Sequence, residues 1–147
     1  LIAHWPAGIA ARGELRHDVG HVIDLVPTLL ELAGAGPTQA AGAPPLPGRS
    51  LVPAFARDGS VTRDYVFFHH EGNRALRMGD WKIVSAREDG NAWELYDLGK
   101  DRCEQTNLAD SQPERVRAMS ARWQELHDKF TREAGGESSR TRGKAKQ

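Results

Sequence analysis

NRALRMGDWKIVSAREDGNAWELYDL, residues 73–98, holds three strand-like runs in quick succession, and a fourth precedes it. The runs are Tyr65–His70, Arg74–Met78, Trp81–Ala86 and Trp93–Leu98. Gly79-Asp80 between the second and third is a two-residue hairpin signal, and Asp89-Gly90-Asn91 marks the next turn, so the spacing predicts an antiparallel meander. Leu76 and Met78 alternate with Arg77, and Trp81 and Ile83 alternate with Lys82, which predicts one packed face and one more polar face. Trp81, Ile83, Trp93, Leu95 and Tyr96 are expected to be structural. The stretch builds a wall, and any chemistry lies beside it.

Downstream, Ser111 and Glu114 have the spacing of a capping box, with Pro113 in the first helical turn. Val116, Met119, Trp123, Leu126 and Phe130 then recur at steps of three and four, one apolar stripe suited to cover the sheet. The fold class that follows is α+β: a small antiparallel four-stranded sheet packed by a C-terminal helix. Residues 135–147 are polar, basic and aperiodic and are expected to be a disordered tail. Upstream, Asp24 is placed to N-cap a half-buried helix in which Leu25, Leu29 and Leu32 share a face, and Gly34 is placed to end it. Residues 35–48, rich in Ala, Gly and Pro, read as a loop, and a helical turn is expected over Ser50–Phe55. Leu1–Trp5 reads as a buried strand. The expected organisation is therefore 1–56, 57–134 and the tail.

Composition narrows the function. The chain has 147 residues, and its 20 basic residues match 20 acidic ones, so no global field draws it toward nucleic acid or an anionic membrane. No apolar run approaches the ~20 residues of a membrane span. The chain starts inside an apolar run without an initiator Met. That predicts sequence further upstream and makes the missing signal peptide uninformative.

Cys103, the one cysteine, excludes an internal disulfide, and no neighbouring helix start or His is expected to activate its thiol. His17 and His21 are four apart, but Asp18 and Gly20 argue against a helix that would pair them. His69, His70 and Glu71 form a dense polar cluster at a strand end, where His69 and His70 must face opposite sides of the sheet. Asp80, Asp97 and Asp101 fit turn positions. No phosphate loop, nucleophile elbow or metal-binding carboxylate cluster is present.

Five blocks, HWPAGI, HVIDLVPTLLELAG, GRSL, HHEGNRALRMGDWKIV and WELYDLGKDRCEQTNLA, resemble in that order the C-terminal portion of arylsulfatase-type sulfatases. The resemblance runs from Leu1 to about Phe130. It implies the last strand and helix of an alkaline-phosphatase-like α/β domain, followed by the small sheet and helix. It also implies hydrolysis of sulfate esters by a formylglycine made from cysteine in a C-x-P-S-R or C-x-A-S-R signature, with calcium held by Asp and Asn. The segment CEQTN around Cys103 is not that signature, so no catalytic or metal residue carries over to this chain. Calcium and formylglycine are expected in the complete enzyme and not in this segment, which is expected to be inactive alone.

The implied partners are an N-terminal catalytic portion and a sulfated small molecule or glycan, with no nucleic acid and no membrane. A periplasmic or secreted parent is the expectation. His70, Glu71, Asn73 and Arg74 are the candidate contacts at the edge of the substrate cleft. Two other functions compete: a phosphate or phosphonate ester hydrolase of the same superfamily, and a stand-alone binding module using the meander and the His70–Arg74 loop.

Overall fold

A computed structural model describes residues 1–35 and 46–134. Most of the predicted Ala-Gly-Pro loop and the whole predicted tail lie outside the described residues. The chain forms two compact units, Leu1–Arg63 and Asp64–Gln147.

The second unit is the predicted meander. Strands β1 (Val66–His70), β2 (Asn73–Met78), β3 (Trp81–Ser85) and β4 (Glu94–Asp97) pair antiparallel in sequence order. The β2–β3 hairpin turns on Gly79, at φ 58°, a conformation that costs a glycine little. Register carries Phe67 opposite Leu76, Leu76 opposite Ile83 and Ile83 opposite Leu95. One row of apolar side chains thus crosses the sheet, and Leu76, Ile83 and Leu95 have no exposed surface. At about 1.5–3 kcal/mol for each fully buried side chain, this row anchors the unit. Trp93 and Tyr65, expected inside strands, lie just outside them and still pack on the core, as does Trp81.

The cover is helix α3 (Pro113–Glu133), whose Met119, Trp123 and Leu126 are buried with the strand row while Val116 and Phe130 flank them. The expected capping box does not form. The N-cap is Gln112 and makes no side-chain capping bond. Ser111 is one position too early, so its hydroxyl donates back to the Leu108 carbonyl at 2.9 Å. Glu114 pairs instead with Arg117 at 2.7 Å, still within the first turn, where the helix dipole favours a carboxylate. Before the helix, Asn107 Oδ1 accepts from the Leu95 and Ala109 amides, and Leu108 N donates to Leu95 O at 2.8 Å, which pins the connecting loop to β4.

In the first unit a 3-10 turn, Val22–Asp24, leads into α1 (Leu25–Leu32), and α2 (Val52–Ala56) follows. Gly34, at φ 65°, ends α1 as predicted: its amide donates to Glu31 O, and Ala35 N donates to Leu30 O. Asp24 is not the side-chain cap expected of it. Its carboxylate turns away from α1 and accepts from His21 N at 2.7 Å, Arg49 N at 2.8 Å and Arg63 Nη2 at 2.6 Å, with no exposed surface. Burial alone would raise its pKa, but the Arg49 amide, the Arg63 guanidinium and the His21 amide together hold it below the ordinary carboxylate value. A side chain at Gly48 would put its Cβ 2.1 Å from the Ile23 carbonyl oxygen, so only glycine lets the 48–49 backbone approach this close.

Two other expectations fail here. Leu1–Trp5 forms no strand in this structure, since strand hydrogen bonds need a partner and none pairs with it among the described residues. The Leu29 side of α1 is open, with Leu29 65% exposed and Leu25 and Leu32 39% each, while Thr28 is the buried residue. Thr28 is drawn in because its hydroxyl donates to Asp24 O and accepts from Leu51 N.

Candidate functional site

The candidate residues sit on the β1–β2 hairpin, where His70 and Asn73 are register partners across a two-residue turn. Both turn residues have positive φ, Glu71 at 50° and Gly72 at 90°, the pattern that follows the twist of the flanking strands. His70 and Glu71 project outward, 85% and 79% exposed, with His70 Nε2 3.9 Å from the Glu71 carboxylate. Asn73 is committed to the protein: its Oδ1 accepts from Arg87 N at 3.0 Å. Arg74 turns inward, its guanidinium 4.6 Å from the Trp93 ring centroid and 5.5 Å from that of Trp123. Its Nη2 donates to Ser85 Oγ at 2.8 Å and to Asn91 O at 3.0 Å, while its Nε is buried without a partner.

The four residues therefore split. His70 and Glu71 present a donor and an acceptor to solvent, whereas Asn73 braces the turn against the loop that follows β3 and Arg74 ties β2 to the loop before β4. His69 faces α3 as strand phase requires, so the two histidines serve different sides. Sequence reading missed His127, which stacks on Trp123 at 4.9 Å and meets His69 at 4.8 Å. The signal was available in its i+4 position relative to Trp123, on the same helical face.

Elsewhere three more titratable side chains have structural partners. His17 pairs through Nδ1 with Asp58 at 2.8 Å, and the His17 amide and ring pull that carboxyl down to about 2. His21 Nδ1 accepts from Ile23 N, so His17 and His21 serve separate contacts. Tyr96 donates to Glu94 at 2.8 Å, and burial together with that carboxylate pushes its phenol up to about 12. Cys103 is exposed. Among the described residues no group of three or more His, Cys, Asp or Glu side chains could hold a metal ion. These residues do not fit a calcium cage, and no helix among them is long and apolar enough to cross a membrane.

Comparison with known proteins matches residues 1–132 to a family described as N-sulphoglucosamine sulphohydrolase, C-terminal. An uncharacterized sulfatase of Schizosaccharomyces pombe is 33% identical over 110 residues, covering 69% of this chain and 20% of its own length. The N-acetylgalactosamine-6-sulfatase of Sus scrofa is 34% identical over 110 residues, covering 74% of this chain and 20% of its own length. Among solved structures, Ps i-CgsB in complex with k-i-k-neocarrahexaose superposes with a TM-score of 0.54 at 26% identity, over 70% of this chain and 23% of that one. The chain spans about a fifth of the length of the curated relatives it matches.

Proposed function

The chain belongs to the N-sulphoglucosamine sulphohydrolase C-terminal family, within the sulfatase superfamily of sulfuric ester hydrolases, and from that premise we propose that it is the C-terminal portion of an arylsulfatase-like enzyme that hydrolyses sulfate esters. The match over residues 1–132 carries this reading. In it, the sheet and α3 form a wall beside the cleft, and the formylglycine nucleophile and calcium ligands belong to the rest of the parent enzyme. The chain alone turns over no sulfate. His70 and Glu71, exposed on the hairpin, are the cleft-edge contacts to substrate, with Asn73 and Arg74 holding the hairpin in place. The names of the relatives support a sulfated glycan as the substrate class. The same reading has the parent periplasmic or secreted.

The test sets the 147-residue chain beside the longer product of its gene, with chromogenic sulfate and phosphate esters and calcium. Sulfate-ester turnover by the longer product only is the expected result. Turnover by the 147-residue chain, or a preference of the longer product for phosphate esters, overturns it. In the active parent, His70→Ala and Glu71→Ala are expected to raise KM on the order of 10-fold, the effect of losing one charge-assisted hydrogen bond. Unchanged kinetics in both variants would remove the hairpin from the cleft.

A further inference from the structure

The face of the sheet that meets α3 changes character toward the β1–β2 hairpin. Phe67 stacks on Trp123 at 5.3 Å, but His69, next on the same face of β1, meets the Trp123 ring at 5.5 Å and the His127 ring at 4.8 Å. His127 lies flat on Trp123 at 4.9 Å, and the Arg74 guanidinium, on the register partner of His69, is 5.5 Å from the same indole. Three groups that carry or can take up positive charge therefore surround one buried ring.

One carboxylate, Asp128, comes within reach of the pair, and it is half exposed to screening water. From β1, His70 is the chain neighbour of His69 and is turned toward Glu71. From β2 comes Arg74, whose charge is permanent. From α3, Asp128 lies 3.6 Å from His127 Nδ1, and its Oδ1 already accepts from Gln124 at 2.8 Å. The β3 neighbour, Ser85, is neutral.

We propose that the His69–His127 contact is an acid-sensitive junction: proton uptake there weakens the hold of the C-terminal half of α3 on β1. One imidazolium on an indole face is compatible with this packing. A second, beside the fixed guanidinium, is not. Partial desolvation of its ring against the aromatic cluster, followed by His127, Arg74 and His70, pushes the His69 imidazole below its ordinary value of 6.5. The folded value lies below the unfolded one, so the unfolded chain binds more protons in the window between them, and stability rises with pH across it. The contribution is complete above the unfolded value and is lost as pH falls through the folded one. Asp24 and Asp58, both held below 3.8, titrate outside this window.

The experiment follows the histidine ring protons of the whole chain by NMR and compares thermal melts at about pH 7.5 and about pH 5, conditions that bracket histidine titration. The His69 midpoint is expected below 6.5, and the melting temperature is expected to drop on acidification. His69→Gln and His127→Gln should each shrink that drop, and His127→Gln should move the His69 midpoint upward. A His69 midpoint at or above 6.5, or an equal drop in wild type and both variants, overturns the proposal. His69 is an exposed position, so its variant keeps the test decisive even if His127→Gln fails to fold.

Discussion

Asp24 joins three distant parts of the first unit through a single carboxylate. Arg63, its ionic partner, is 8% exposed, and removing the charge by Asp24→Asn leaves that guanidinium buried and unpaired. Breaking a buried pair from one side costs about 3–5 kcal/mol, and the Asn variant is expected to lose that much in denaturant melts. The pH dependence has a definite sign. The folded pKa of Asp24 is lowered from 3.8, so its stabilisation is present above the unfolded value and is lost as pH falls through the folded one. Acid titration of the wild type below about pH 4 should therefore include a stability loss that Asp24→Asn lacks. The sequence marked Asp24 as the start of a helix, which is where it lies. Its partners Arg49 and Arg63 are 25 and 39 residues away, beyond the reach of any local pattern.

At the scale of elements, α3 and the sheet stand or fall together. Trp123, 3% exposed, touches Phe67, Trp93, His69 and His127, and its Nε1 donates to Phe68 O at 3.1 Å. Trp123→Ala removes the largest side chain of the stripe and leaves a cavity that the strand row cannot close. A loss of about 3–5 kcal/mol is expected, read as a lower denaturant midpoint with an unchanged slope. A loss under about 1 kcal/mol would mean that α3 contributes little to the core. The stripe was legible because a helix repeats its buried face every three to four residues, and the strands because they alternate every two. The capping box was misjudged by one residue. Ser111 and Glu114 have the right spacing, but Pro113 begins the helix and puts the N-cap at Gln112.

Over the whole molecule, the large exposed apolar side chains gather in the first unit. Leu1, Ile2, Leu15, Val22, Val26 and Leu29 are each more than half exposed, whereas in the second unit only Phe68 and Met78 pass a third among the described residues. Apolar side chains left open in this number are where a further surface would pack, in keeping with the proposed parent enzyme. The 147-residue chain by itself is expected to bind an apolar dye and to self-associate at high concentration. Leu29→Lys should reduce both while changing stability by no more than about 0.5 kcal/mol, as for an exposed position. Dye binding and light scattering unaffected by the substitution would mean that this face is not sticky.

Periodicity and turn chemistry within a few residues were enough to set the four strands, their order and the helix that covers them, because hairpins and amphipathic faces are encoded between near neighbours. Folding alone decided which polar groups meet. Asp24 with Arg63, Arg74 with Trp93, and Trp123 with a carbonyl 55 residues away come together only once the backbone brings distant segments within hydrogen-bond or ring-contact range. Such pairings depend on distance in space, to which sequence spacing is blind.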